Sequence, residues 1–400
     1  MSTPLREALH RRLLAVPFDP AHLAPDELRA RLEILLRDEA PLVTDAAAAS
    51  VVDAVVADVE GLGPLQVLLA DPAISEVMVN GPGRVFVERN GGLEAVPCDL
   101  DADTIVRIVQ RVVAPLGLRL DRAAPMVDAR LPDGSRLHAV LPPLAPDGPC
   151  ITIRRFAVEA LTLADFGLRP AEAAFLDALV RAGWNIVVSG ATSSGKTTCA
   201  NALARAIDPV ERIVTIEETA ELRLRHPHVV RLEARPANAE GVGAVGVREL
   251  VRAALRMRPD RLVVGEVRGG EAFDMLQALN TGHDGSLSTV HANSPADALA
   301  RLETLVLLGG VALPLAAVRG QLAAAIDAIV QVARRASGRR EIVDVAEVGP
   351  AQGSRTVAVR LLLAWEGDAL AAVEAPTRPA RRAGHELEKA WWACIPSAAR

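Results

Sequence analysis

Apolar residues change their period along this chain, and each change marks a boundary. Within residues 1–70 they recur at helical spacing, through Leu28, Leu32, Leu35 and Leu36 and again through Val51, Val52, Val55, Val56 and Val59. Pro25 followed by Asp26 and Glu27 reads as a helix start, with acids in the first turn where the helix dipole favours them. From about Asp71 the period drops towards two. Ile74 to Val79, the turn Asn80-Gly81-Pro82-Gly83, Val85 to Glu88 and the turn Asn90-Gly91-Gly92 predict short strands. A helix is predicted over Asp103 to Leu116, then strands at Met126 to Leu131, Arg136 to Leu141 and Cys150 to Arg155. Residues 71–156 therefore read as a small α+β domain.

Over 157–335 the pattern alternates helices with short apolar strands at Asn185 to Ser189, Ile213 to Ile216, Leu262 to Val264 and Leu287 to Val290. That alternation predicts an α/β domain, a parallel sheet covered by helices. Within 336–375, Glu341 to Val348 and Thr356 to Trp365 predict a late hairpin. Residues 376–400 are rich in Pro and Arg with little periodicity and read as a disordered, solvated tail, with Trp391 and Trp392 as its one anchor. Four hundred residues suit two or three domains of this kind.

Composition narrows the function. Half the chain is hydrophobic and 24% is charged, which excludes a mainly disordered chain. Aromatics are 2%, Tyr is absent and the net charge is -6, so neither a base-stacking surface nor a nonspecific polyanion-binding surface is indicated, and no nucleic-acid partner is expected. Of 44 basic residues only Lys196 and Lys389 are lysines, so arginine clusters in this chain are weak evidence for phosphate binding. Cys98, Cys150, Cys199 and Cys394 are widely spaced and indicate neither a zinc site nor a disulfide framework. The N-terminus carries Glu7 and Asp19 around a short apolar patch and does not read as a secretory signal. The uncharged stretch Leu305 to Val318 falls short of the roughly 20 residues a spanning helix needs. A cytoplasmic chain is the expectation.

Gly190-Ala191-Thr192-Ser193-Ser194-Gly195-Lys196-Thr197-Thr198 satisfies G-x-x-x-x-G-K-[ST] between the apolar strand NIVVS and the helical CANALARAI. Glycines let such a loop turn so that backbone N–H groups face phosphate oxygens, with the helix N-terminus adding positive potential. Lys196 is the candidate for the β and γ phosphates of ATP and the Thr197 hydroxyl for Mg²⁺. Hydrolysis also needs acids, and two strand ends supply them: Glu217 and Glu218 with Glu221 a turn later, and Glu266. Side chains at the carboxyl ends of parallel strands face the ligand crevice of such a sheet. His283 and His291 bracket a further apolar strand. His291 stands at its carboxyl end, where an imidazole can sense the γ-phosphate, and neither histidine has a second ligand at metal spacing.

At these residues the chain resembles the secretion-motor ATPases of the type II and type IV secretion and type IV pilus superfamily, and most closely the tight-adherence (Tad/Flp) pilus assembly ATPases of the CpaF type. The motifs are GATSSGKTT, TIEETAEL, RMRPDRLVVGEVRGGEAFDMLQALNTGHDGSLSTVHANSP and, earlier, VMVNGPGRVFVERNG, MVDARLPDGSRLHAVLPP and ITIRRF. The resemblance implies a RecA-like P-loop domain after a PAS-like α+β domain and a helical extension. It implies a homohexameric ring at the inner face of the cytoplasmic membrane, driving a polytopic platform protein and, through it, pilin-like subunits. It assigns Glu266 to the Walker B carboxylate and a share of Mg²⁺, Glu217, Glu218 and Glu221 to the acidic box, and His283 and His291 to the histidine box. Arg136 and Arg154 match arginines that reach the γ-phosphate. Relatives often carry Asp where this chain has Glu218, which leaves open which acid positions the water. Arg130, Arg155, Arg256, Arg258 and Arg268 are weaker candidates, and His138 stands where relatives carry Asn. The rival readings are a RecA-like nucleic-acid translocase or DNA-transfer ATPase, and a nucleotide-binding module without turnover.

Overall fold

The computed structural model describes residues 5, 8, 9, 11–13, 25–59, 61–155, 161–238, 240–335, 337–351, 357–367, 369–385 and 394–396. Glu7, Asp19, Trp391 and Trp392 lie outside the described residues. The chain divides into two compact units, Met1–Ala157 and Val158–Arg400.

The first unit opens with helices α1 (Pro25–Glu39), α2 (Asp45–Val59) and α3 (Leu65–Ala70). The predicted i, i+4 positions Leu28, Leu32 and Leu36 are buried with Val51, Val52 and Val55 in one cluster. Six antiparallel strands follow: β1 (Ile74–Asn80), β2 (Val85–Arg89), β3 (Gly92–Val96), β4 (Met126–Arg130), β5 (Arg136–Val140) and β6 (Cys150–Arg154), in the order β3-β2-β1-β6-β5-β4. Alternate residues of β1, β5 and β6 are buried, as a sheet covered on one face requires. Helix α4 (Ala102–Val113) supplies cover through Ile105, Ile108, Val109 and Val113, and Asp101 caps it by accepting from Thr104 N at 2.6 Å.

The second unit is built on a nine-stranded sheet. Helix α5 (Pro170–Arg181) precedes β7 (Ile186–Gly190), α6 (Lys196–Leu203), β8 (Ile213–Glu217), β9 (Val229–Glu233), α7 (Val247–Ala254), β10 (Arg261–Val264), α8 (Glu271–Leu279), β11 (Leu287–His291), α9 (Pro295–Leu308), α10 (Leu315–Ala325), β12 (Ala328–Arg334), β13 (Arg340–Ala351), β14 (Val357–Glu366) and β15 (Ala369–Ala372). The order is β15-β14-β13-β12-β7-β11-β10-β8-β9, parallel from β12 through β9 and antiparallel from β12 through β15. Every residue of β7, β8 and β10 is buried, because helices cover both faces.

Three expectations change. Two parallel strands, β9 and β12, join the four that the periodicity predicted. The late hairpin of residues 336–375 is not separate, since β13 pairs with β12 and extends the same sheet. The tail expected from 376 onward is packed in its described part. Arg381 N and Arg382 N donate to Ala182 O, Trp184 Nε1 donates to Pro379 O, and Ile395 lies in the core.

Candidate functional site

The loop Gly190–Thr198 leaves the carboxyl end of a fully buried strand and turns into α6, with Gly195 at its N-cap. Gly195 has φ +99°, a left-handed conformation open to glycine. Gly190 is needed for closeness instead: a Cβ there would stand 2.4 Å from Val332 O and 2.5 Å from Ser194 Oγ. Lys196 is buried, and its Nζ donates to Ala191 O at 2.9 Å and lies 3.2 Å from His291 Nδ1. Ser194 Oγ is buried without a hydrogen-bond partner.

His291 ends β11, the strand beside β7, and is in register with Gly190. Its Nε2 is 2.6 Å from Glu266 Oε1. Lys196 Nζ lies within reach of both ring nitrogens, at 3.2 Å from Nδ1 and 3.5 Å from Nε2, and because an ammonium cannot accept, a neutral imidazole with Nδ1 as acceptor fits that contact; Glu266 Oε1 is close but has no hydrogen-bond partner. Burial first, and the Lys196 charge second, hold the imidazole pKa below its ordinary value, which favours that neutral form. Glu266 follows β10 by two residues and accepts at Oε2 from Arg268 at 2.6 Å, while the other arm of Arg268 reaches Glu218 at 3.3 Å. Lys196, His291, Glu266, Arg268 and Glu218 thus form one chain of contacts across the carboxyl ends of β7, β11, β10 and β8.

The acidic segment separates into three environments. Glu217 ends β8 and is buried, with Oε2 accepting from Glu221 N at 2.7 Å and Leu222 N at 2.8 Å and Oε1 without a partner. Burial pushes its carboxyl up to about 7 against the lowering effect of those two N–H groups. Glu218 is exposed, and Glu221 is half-buried.

His283 does not join this group. It precedes β11, at the amino end of the strand, and its Nδ1 contacts Ala278 O at 3.1 Å. That end of the sheet is a structural network. Arg261, buried at the start of β10, forms a bidentate pair with Glu211 at 2.7 and 2.9 Å. Asp327 receives Arg378, Arg381 and the Asn185 N–H, and Asp284 receives Arg381. The sequence reading missed these arginines of the supposed tail.

In the first unit Glu76, Arg154, Arg136 and Arg130 stand in register on successive strands β1, β6, β5 and β4, which puts three arginines side by side on one face. Arg155 instead donates to Ile74 O at 3.0 Å, bracing the strand start. His138 pairs across strands with Asp128 at 2.8 Å, which accounts for an imidazole there. Arg256 lies in the helical turn Leu255–Met257 that continues α7, and Arg258, which follows it, adopts φ +53°.

The loop suits a nucleotide phosphate and a hard cation: an orphaned buried hydroxyl at Ser194, a lysine turned onto its own loop, glycines where a Cβ would collide, and carboxylate and hydroxyl oxygens at Glu266 and Thr197. Comparison with known proteins agrees with that reading. Residues 58–359 match the family described as type II/IV secretion system protein. The chain is 45% identical over 322 residues to the Mycobacterium tuberculosis protein named "Putative conjugal transfer protein", covering 78% of this chain and 90% of that one. It is 37% identical over 311 residues to the type IV secretion system protein PtlH of Bordetella pertussis, covering 68% and 89%. Among solved structures it shares the fold of the pilus retraction motor PilT with bound ADP, at a TM-score of 0.53 and 20% identity over 72% of this chain and 83% of that one.

Proposed function

The chain belongs to the type II/IV secretion system protein family and is an ATPase, and we propose that it is a ring-forming motor that converts ATP hydrolysis into mechanical work on a membrane-embedded secretion or pilus platform. The observation that carries the reading is the chain of contacts from Lys196 through His291 to Glu266 at the mouth of the phosphate loop. Lys196 would bind the β and γ phosphates in exchange for its present partners, with the amides of 190–198 and the Ser194 hydroxyl completing the cradle. Thr197 and Glu266 would hold Mg²⁺, which when bound neutralises charge on the phosphates. Glu266 would orient the attacking water, and the neutral His291 would pass the exchange at Lys196 on to Glu266. On the family resemblance, Arg136 and Arg154, in register on neighbouring strands β5 and β6, would be the arginines that answer the γ-phosphate.

A homohexamer at the inner face of the cytoplasmic membrane, acting on a polytopic platform and pilin-like subunits of a tight-adherence pilus, is the arrangement we favour. No helix among the described residues is long and apolar enough to cross a membrane, so docking on a platform would be peripheral. One finding favours a second reading, DNA transfer, since the relative at 45% identity is named for conjugal transfer. Purified protein should hydrolyse ATP only with Mg²⁺, Lys196→Ala should lose turnover with its melting temperature unchanged, and Glu266→Gln should keep nucleotide binding while kcat collapses. An active Lys196→Ala enzyme would refute the phosphate assignment. Stimulation by nucleic acid that weakens steeply with salt would favour the DNA-transfer reading.

A further inference from the structure

We propose that Arg268 is a positioning residue that yokes the acidic segment to Glu266 and holds the Glu266 carboxylate in its orientation towards the phosphate loop. The inference rests on the phosphate-site reading above and adds to it the residue that sets the geometry of Glu266. In an arginine-biased chain a half-exposed arginine is by default a solvated one, and three observations set Arg268 apart.

Its backbone is pinned on both sides. Val267 N donates to Thr289 O of β11 at 2.9 Å, and the N–H groups of Arg268 and Gly269 both donate to Glu271 Oε1, at 2.6 and 2.7 Å. Gly269 also passes close to that carboxylate, where an added Cβ would stand 3.1 Å from Glu271 Oε2. A guanidinium leaving so short and anchored a loop has little freedom to wander. Its two arms then take two different carboxylates, Glu266 Oε2 at 2.6 Å and Glu218 Oε2 at 3.3 Å, on loops that follow two neighbouring strands, β10 and β8. Finally, Glu266 is mostly sheltered, at 22% side-chain exposure, whereas Glu218 is 62% exposed. The Glu266 bond is therefore the stronger one and the Glu218 bond the adjustable one.

The consequence concerns the carboxylate's two oxygens. Oε2 accepts from Arg268, whereas Oε1 lies 2.6 Å from His291 Nε2 yet is buried without a hydrogen-bond partner, so Arg268 makes the one directional bond that fixes how this carboxylate is turned. Without Arg268 the carboxylate can turn about its last torsion, and its reach to a water or cation becomes one orientation among several. Glu218 enters through Arg268 alone, by pulling the guanidinium to the side on which it meets Glu266.

The test uses the full chain and four variants: Arg268→Gln, Arg268→Lys, Glu218→Asp and the double Glu218→Asp/Arg268→Gln. Arg268→Gln is expected to lower kcat about tenfold while KM for ATP stays within about twofold, because the residue orients a group and does not bind substrate. Arg268→Lys, which reaches one carboxylate but not both, should fall between it and the wild type. Glu218→Asp keeps the charge and withdraws the carboxylate by one methylene, so its loss should be smaller, about threefold, and absent from the double variant, which should match Arg268→Gln alone. Hydrogen exchange on nucleotide-free protein supplies an independent reading: Arg268→Gln should speed exchange in both 217–222 and 265–271, with the melting temperature unchanged. Full kcat in Arg268→Gln, losses that multiply in the double variant, or unchanged exchange in 217–222 would each overturn the yoke. Lys196→Ala run alongside separates the two claims, since turnover in that variant defeats the phosphate assignment itself and not the role of Arg268.

Discussion

Glu217→Gln gives the sharpest test of how the acidic segment is built. The carboxyl of Glu217 is 3% exposed and, pushed up from 4.5 to about 7, is protonated in the folded protein over a range where the unfolded chain has already released its proton. Its contribution to folding is therefore complete below pH 4.5 and is lost as pH rises through 7. A displacement of that size, at about 1.4 kcal/mol for each pH unit, corresponds to about 3 kcal/mol between the two limits. Glutamine cannot ionise, yet its carbonyl can still accept from Glu221 N and Leu222 N, so the variant should lack this part of the pH dependence. Burying the new amide carries its own cost, but that cost is the same at every pH and drops out of the slope. Thermal melts of wild type and Glu217→Gln from pH 5 to 8.5 should diverge, the variant gaining roughly 6–12 °C on the wild type across the interval for a unit of this size. Parallel curves would show that the carboxyl titrates near its ordinary value and would refute the claim that burial outweighs the two N–H bonds.

Two further outcomes follow from close contacts elsewhere in the same unit. Arg381→Ala removes two bonds to Asp327, a carboxylate 1% exposed that keeps Arg378 as a partner, and should cost about 1–3 kcal/mol by melting; a change below about 0.5 kcal/mol would return residues 376–385 to the status of a tail. Gly190→Ala forces a Cβ against Val332 O and should cost about 1–3 kcal/mol and weaken binding of a fluorescent ATP analogue, whereas unaltered melting and affinity would mean that the loop yields freely.

What the sequence revealed and what it hid have separate physical causes. The phosphate loop and Glu266 were legible because each follows a short apolar run, Ile186–Val188 and Leu262–Val264, and a strand buried on both faces leaves that trace whatever surrounds it. β12 was hidden by the same rule: the apolar run from α10 passes through Asp327 into AIVQVAR with no turn signal, and periodicity alone cannot divide a helix from a buried strand. β9 was hidden because it is an edge strand, half-buried and carrying Arg231 and Glu233. His283 was grouped with His291 by nearness in sequence, yet His283 precedes β11 and His291 is its last residue, and the strand alone spans about 13 Å, which puts the two at opposite ends of the sheet. The arginines near the C-terminus could not be read at all, because Arg381 finds Asp327 across 54 residues and no local pattern records such a pair.

The arginine bias of the chain takes on a spatial meaning at those two ends. At the amino ends of the parallel strands, Arg261, Arg378, Arg381 and Arg382 meet Glu211, Asp327 and Asp284 in pairs whose planar forks match carboxylates, and the charges there are spent on one another. At the carboxyl ends the engagement around the phosphate loop is exchangeable: a lysine rests on a carbonyl and an imidazole, and a serine hydroxyl has no partner. A point charge on a flexible stem can trade those contacts for a phosphate in a way that a buried bidentate pair cannot. Substitutions in the amino-end ion pairs should therefore act on melting and leave kcat per folded molecule intact, while those of Lys196, Glu266 and Arg268 should act on kcat and leave melting intact. Arg268 is the instructive case, an arginine placed among the exchangeable groups, where its fork joins two carboxylates that belong to different strands instead of neutralising one.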